Sequence, residues 1–337
     1  MWALANRTPY AAERNWTRDK DGVHWWLVAV RATFTIAIDG RLTLADEQLP
    51  PVLVPEHYGE AGKSSLRYDS DLLARKPLTD VLVLGSAHAP GGRQAPTVPA
   101  TLRVEAIEKT VIVHGERAYY AGLTGLTATA PRPFTSMPIR YELAFGGSDM
   151  SDPDPRRHRI DERNPIGRGF ANRSASLENT AAHNIEYPRG NPATTGPAGF
   201  GPIEPGWVPR RTLAGTYDAA WDRTKRPLLP NDYDPAFALC APADQRLAQP
   251  LRGSERLGLL NLSREGTLQL ELPRIHLELT SRFGRKSRAH EPPMISTVLV
   301  EPDDRRLSLV WQSALRVAAL DADYLDETSI VEKRGGA

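Results

Sequence analysis

The sequence predicts a mainly β protein built of antiparallel, sandwich-like sheets. Three observations carry this. Short β-rich stretches recur along both flanks of the chain, separated by turn residues. Helical periodicity is scarce. Between the flanks, residues 161–234 are dense in Gly and Pro, which make up 17 of those 74 residues against 55 of 337 overall. Neither helical nor strand periodicity survives such density.

In the first flank, His24–Ile38 carries Trp25, Trp26, Val28, Val30, Thr33, Phe34 and Ile36, all strand formers. It reads as one long strand or a strand pair, closed by the Asp39-Gly40 turn. Ser70 is placed to cap a short helix over residues 71–74, with Pro77 ending it. Residues 80–87 are an apolar strand, and 101–104 with 110–114 form a hairpin around Glu108-Lys109. Residues 137–145 alternate through Ile139, Tyr141, Leu143 and Phe145.

The middle segment is ordered rather than a linker. Disordered chain is poor in aromatics, whereas this one holds Phe170, Tyr187, Phe200, Trp207, Tyr217, Trp221 and Tyr233. Rings of that size need burial, and long ordered loops are usually functional. Strands return at 256–262, 267–272, 275–280, 296–301 and 307–312, and short helices are expected at 244–249 and 321–331. Thr101-Leu-Arg-Val-Glu-Ala matches Thr267-Leu-Gln-Leu-Glu-Leu weakly, a hint of two similar β lobes. The expected organisation is an N-terminal β lobe over 1–150, the ordered segment over 151–250, a C-terminal β lobe over 251–320 and a tail over 321–337.

Composition narrows function. Hydrophobic residues are 40% and charged residues 25%, with 42 basic against 41 acidic side chains. That balance gives no global field for nucleic acid. No apolar run is long enough to span a membrane, and no secretory signal pattern is present, so a cytoplasmic site is expected. Cys240 is the single cysteine, which excludes an intrachain disulfide and Cys-based metal clusters.

Candidate chemistry is sparse. Gly62-Lys63-Ser64 lacks the earlier glycine and following helix of a phosphate loop. Asp149, Asp152 and Asp154 are interrupted by prolines where a calcium loop needs its glycine. His183 and Glu186 have a metal-ligand spacing, but Pro188 argues against the helix that would align them. The acid pairs Asp218/Asp222 and Asp232/Asp234 suit glycoside chemistry only at a separation that sequence does not show. Neither a metal, a cofactor nor a catalytic residue is therefore assigned. Arg282, Arg285, Lys286 and Arg288 form a basic run between two strands, either a solvated hairpin tip or a docking patch for an acidic partner.

The middle segment also carries a resemblance. Arg163-Asn-Pro-Ile-Gly-Arg-Gly-Phe, His183-Asn-Ile-Glu, Trp207-Val-Pro-Arg-Arg, Ala214-Gly-Thr-Tyr-Asp-Ala-Ala-Trp and Pro227-Leu-Leu-Pro-Asn-Asp-Tyr-Asp resemble an uncharacterised-domain family whose members sit beside type VI secretion effectors. Arg31-Ala-Thr-Phe, Ser65-Leu-Arg-Tyr-Asp-Ser-Asp, Lys76-Pro-Leu-Thr-Asp and Tyr141-Glu-Leu-Ala-Phe-Gly-Gly fit the same family, over roughly residues 20–315. The resemblance implies a cytoplasmic adaptor or chaperone, not an enzyme. It would bind an effector, often one with a PAAR tip domain, and help load it onto the spike. The expected contact residues are Trp207, Arg210, Arg211, Tyr217 and Trp221, since Trp, Tyr and Arg most often dominate interface energy; the alternative for Trp207 and Trp221 is that they anchor the long loop to the sheet. The basic run 282–288 joins them as a second candidate. The alternative is a carbohydrate-active β-sandwich hydrolase or a carbohydrate-binding protein.

Overall fold

His24–Ile36 forms one strand of 13 residues, not a strand pair. Its Trp26, Val28, Val30 and Ala32 pack into the central apolar core, while Leu27 and Ala29 pack beneath it with Leu72 and Val310. A strand buried on both faces is expected to read as nearly continuous apolar sequence. The computed structural model describes residues 2–123, 125–172 and 174–333, and the fold is mainly β, with 41% strand and 12% helix.

The main sheet has the order Arg246–Leu247, Thr79–Val83, Met294–Glu301, Arg306–Val317, His24–Ile36, Ala11–Arg18, with Leu42–Leu44 also on His24–Ile36. Thr79–Val83 runs parallel to Met294–Glu301. The other pairings in this sheet are antiparallel, so it is mixed. A second, antiparallel sheet has the order Ile185–Glu186, Ile107–His114, Thr97–Val104, Arg256–Leu260, Thr267–Glu271. Val98, Ala100, Leu102, Val111, Val113, Leu257, Leu259, Leu268 and Leu270 alternate onto its inner side and join the same core as Trp26 and Val28. The two sheets are thus a sandwich. A third sheet, Ala3–Asn6, Leu325–Glu332, Leu277–Phe283, Lys286–Ala289, adds Leu277, Leu279, Leu325 and Ile330 to that core.

Both flanks of the chain contribute to each large sheet. His24–Ile36 lies beside Arg306–Val317, and Thr97–Val104 lies beside Arg256–Leu260. The two similar stretches at Thr101 and Thr267 stand in one sheet, on either side of Arg256–Leu260.

Three expected helices are corrected. Residues 71–74 form bends, because Ser70 and Asp71 turn back to bond Leu53 and Val52. Residues 243–245 are a single 3-10 turn leading into the strand Arg246–Leu247. Residues 319–324 are 3-10, and Leu325–Glu332 is a strand held between two neighbours. Sheet pairing overrides the weak helical spacing there.

The middle segment is ordered and largely non-repetitive. Its two α-helices, Pro192–Thr195 and Ala219–Thr224, are short and capped by Asn191 and Asp218. Gly215 has φ +84°, and a side chain there would meet Pro230 Cβ at 2.8 Å. Only glycine fits that combination without strain. Together with residues 49–77, this segment covers the face of the main sheet that the second sheet leaves open, packing Cys240 and Ala241 against Leu82, Leu84 and Leu299.

Candidate partner-binding groove

Charges buried beneath that cover must be paired, because desolvating an ion costs several kcal/mol. Arg210 is only 1% exposed. Its guanidinium donates to Asp69 Oδ2 at 2.6 Å and to the carbonyls of Ile203 (2.7 Å) and Phe237 (2.9 Å). The Lys76 ammonium donates to Asp80 Oδ2 at 2.8 Å and Thr297 Oγ1 at 2.9 Å. Burial opposes its charge, but Asp80 and its neighbours outweigh burial and raise its pKa above the ordinary lysine value. Asp80 also accepts the backbone N–H of Cys240 and of Ala241. Asp71 accepts Val52 N–H at 2.8 Å, and burial raises its carboxyl pKa. The family-like motifs at 31, 65–71, 76–80 and 207–211 therefore meet in one buried polar network that fastens irregular chain to the sheet.

At the edge of this cover lies a groove of about 550 Å³. Trp25, Leu27, Met294 and Ala314 from the main sheet line its floor; Leu73 and Pro77 line one wall, and Tyr217, Leu229, Tyr233 and Phe237 the other. The aromatic rings are held from behind. Tyr217 meets Trp221 edge-on at 4.7 Å, and Trp221 Nε1 donates to Leu228 O at 2.9 Å. Tyr233 and Phe237 meet edge-on at 6.0 Å. Trp25 Nε1 donates to Asp19 Oδ2 at 2.9 Å. Burial works against the Asp19 carboxylate, yet bonds from Trp25, Val23 and Asp21 keep its pKa below the usual value. Preorganised apolar walls of this kind suit large side chains of a partner.

The structure sorts the sequence-predicted residues. Trp207 is 7% exposed and stacks edge-on against Tyr141 at 5.5 Å inside the core. It thus takes the anchoring role, while Arg210, buried as well, is interior rather than the contact residue expected. Large rings and paired guanidiniums anchor the cover instead. Arg211 is on the surface, paired with Glu162 at 2.9 Å. Tyr217, 53% exposed, lines the groove wall, and Trp221 packs edge-on behind it. Arg282, Arg285, Lys286 and Arg288 lie on the hairpin of Leu277–Phe283 and Lys286–Ala289. Arg288 donates to Arg316 O at 2.7 Å, and Arg316 stands opposite Trp25 in register, so the hairpin abuts the groove. Sequence reasoning missed Trp25, Phe237, Arg18 and Arg75 as groove residues. The aromatic richness around Tyr233 was the one usable signal; strand register was not.

The other sequence candidates have observed roles. His114 and His183 contact Glu186 Oε1 and Oε2 at 2.7 and 2.9 Å through their Nε2 atoms. Their Nδ1 atoms meet Thr97 Oγ1 and the Tyr119 hydroxyl at 3.0 and 2.9 Å. These bonds, from His114 first, hold the Glu186 carboxyl well below its ordinary pKa. Every ring nitrogen is engaged, and the cluster clamps the edge strand Ile185–Glu186. Asp149, Asp154 and Asp218 accept backbone N–H groups of turns and helix starts. Asp222 pairs with Arg226 at 3.1 Å, and Asp232 accepts Thr216 N–H. Cys240 is buried, which raises its thiol pKa. Among the described residues, no group of three or more His, Cys, Asp or Glu side chains is arranged to hold a metal ion, and no helix is long and apolar enough to cross a membrane.

A family model described as an uncharacterized protein conserved in bacteria (DUF2169) matches residues 21–312. No curated protein and no solved structure matches the chain.

Proposed function

We propose, for a chain that belongs to this bacterial family of uncharacterized proteins, that it is a binding protein whose groove takes up part of another polypeptide. The observation that carries this is the aromatic groove itself. Tyr217 and Tyr233, from the motifs 214–221 and 227–234, stand over a floor supplied by the main sheet. The resemblance of those motifs to proteins found beside type VI secretion effectors supplies the partner: an effector, in some systems one with a PAAR tip domain, held in the cytoplasm for loading on the spike. On this reading the chain is an adaptor or chaperone rather than an enzyme.

The test is co-purification of the wild-type protein with the effector encoded beside it, alongside Tyr217→Ala. Tyr217 is half-exposed, so its loss should leave melting unchanged while weakening capture by about 2 kcal/mol or more if it is a hot spot. Unchanged capture by Tyr217→Ala removes the groove from the reading. Failure of the wild type to capture the neighbouring effector removes the adaptor role. Aromatic walls also suit sugar rings, and the second reading, a carbohydrate-binding protein or carbohydrate-active hydrolase, predicts instead that oligosaccharides quench Trp25 fluorescence.

A further inference from the structure

We propose that the occupant of the groove is an extended peptide segment with apolar anchors flanked by carboxylates; this rests on the binding-protein reading and specifies its partner. The argument is charge complementarity around an apolar centre. Arg18 and Arg75 line the groove. Arg316 lies opposite Trp25 in register and so projects from the same face of the sheet. Arg288 is joined to the Arg316 backbone. Among the described residues the guanidiniums of Arg18 and Arg316 make no hydrogen bond or ion pair. Arg75 pairs with Glu291 at 3.5 Å, with the two side chains 49% and 76% exposed, a contact that solvent screens and a ligand displaces easily. The anion of the groove, Asp19, is engaged by Trp25 Nε1 and two backbone N–H groups and also lies in the field of Arg316. The rim thus offers more positive than negative charge, while most of the lining between is rings and aliphatic groups.

A second copy of this chain is disfavoured as occupant, because two such rims would meet with like charges opposed. A peptide satisfies both parts of the site: its large side chains enter between Tyr217, Tyr233 and Leu73, and its carboxylates reach Arg18 at one edge and Arg75 at the other. The basic hairpin carrying Arg282, Arg285 and Lys286 extends the same field beyond Arg288, although Gly284 N–H bonds Asp326 and Arg282 stands opposite Glu327 there.

Three short fluorescein-labelled peptides test this by anisotropy: Leu and Trp anchors between Glu runs, the same anchors between Lys runs, and the Glu runs with Ser in place of the anchors. The Glu-flanked apolar peptide should bind at least about tenfold more tightly than either control and loosen as salt rises. The double variant Arg18→Glu/Arg75→Glu should lose that preference with its melting temperature unchanged, both residues being exposed. Equal binding of the Glu- and Lys-flanked peptides, or a preference retained by the double variant, overturns the proposal. Binding of oleate in place of any peptide also overturns it. Capture of the neighbouring effector separates the two levels: an effector held equally well by the double variant sinks the charge-based inference while leaving the adaptor reading in place.

Discussion

Arg210→Ala is the sharpest perturbation, because the residue looked like an interface arginine and is instead a buried brace. The side chain is 1% exposed and its partner Asp69 is buried with it. Truncation removes the 2.6 Å ion pair, strips two carbonyls of their donor and leaves the Asp69 carboxylate inside with, among the described residues, only the Ser70 N–H. Breaking one side of a buried pair costs about 3–5 kcal/mol, mostly through the orphaned charge. Arg211→Ala is the matched control, since its pair with Glu162 is roughly half exposed on both sides and such pairs contribute about 0–1 kcal/mol. Urea unfolding followed by tryptophan fluorescence gives both values from midpoint and slope. A cycle with Asp69→Asn should show the double variant costing less than the sum of the single ones, since neutralising Asp69 removes the orphaned charge. A loss below about 1 kcal/mol for Arg210→Ala, or simple additivity in the cycle, would falsify the brace.

Three further outcomes are expected. Trp207→Ala empties a core position against Tyr141 and should cost roughly 3–5 kcal/mol in the same unfolding assay. Gly215→Val places a side chain at φ +84° against Pro230, and should lower stability by more than about 1 kcal/mol in thermal melting. His290, held between Ser281 Oγ and Ser313 Oγ at 2.8 and 2.7 Å, has its pKa pushed down by burial to about 4 from 6.5. Between those values the unfolded chain takes up a proton that the folded chain refuses. This group therefore makes stability fall as pH drops from 6.5 towards 4, and contributes no further slope below that. His290→Gln should flatten that part of the stability–pH curve; an unchanged slope would contradict the assignment.

Features set by local pattern were legible. The apolar run at 24–36, a hairpin over 101–114, whose turn falls at residues 105–106 and not at Glu108-Lys109, the basic hairpin near 285 and the ordered character of the Gly/Pro-rich segment follow from side-chain period, turn residues and ring content. Features set by long-range pairing were not. Arg210 and Asp69 are 141 residues apart, and nothing near Arg210 distinguishes a brace from an exposed anchor. The strand at 325–332 carries apolar groups at a spacing that also fits a helix, and only its two neighbours in the third sheet decide the matter. Part of the groove was visible as Tyr217, with Trp221 packed behind it. The rest depends on Trp25 and Ala314 reaching the same face, which is a property of register.

The position of His24–Ile36 in the main sheet has a consequence for biosynthesis. Two of its neighbours, Ala11–Arg18 and Leu42–Leu44, lie close by in the chain, but the third, Arg306–Val317, follows some 270 residues later. At bacterial elongation speeds of about 5–20 residues per second, that interval is roughly 15–55 s. Throughout it, an apolar strand meant to be buried on both faces has left the ribosome with one edge unpaired. A holding factor that engages nascent chains would act on this stretch first, and ribosome-bound chains arrested before residue 306 should be its best clients.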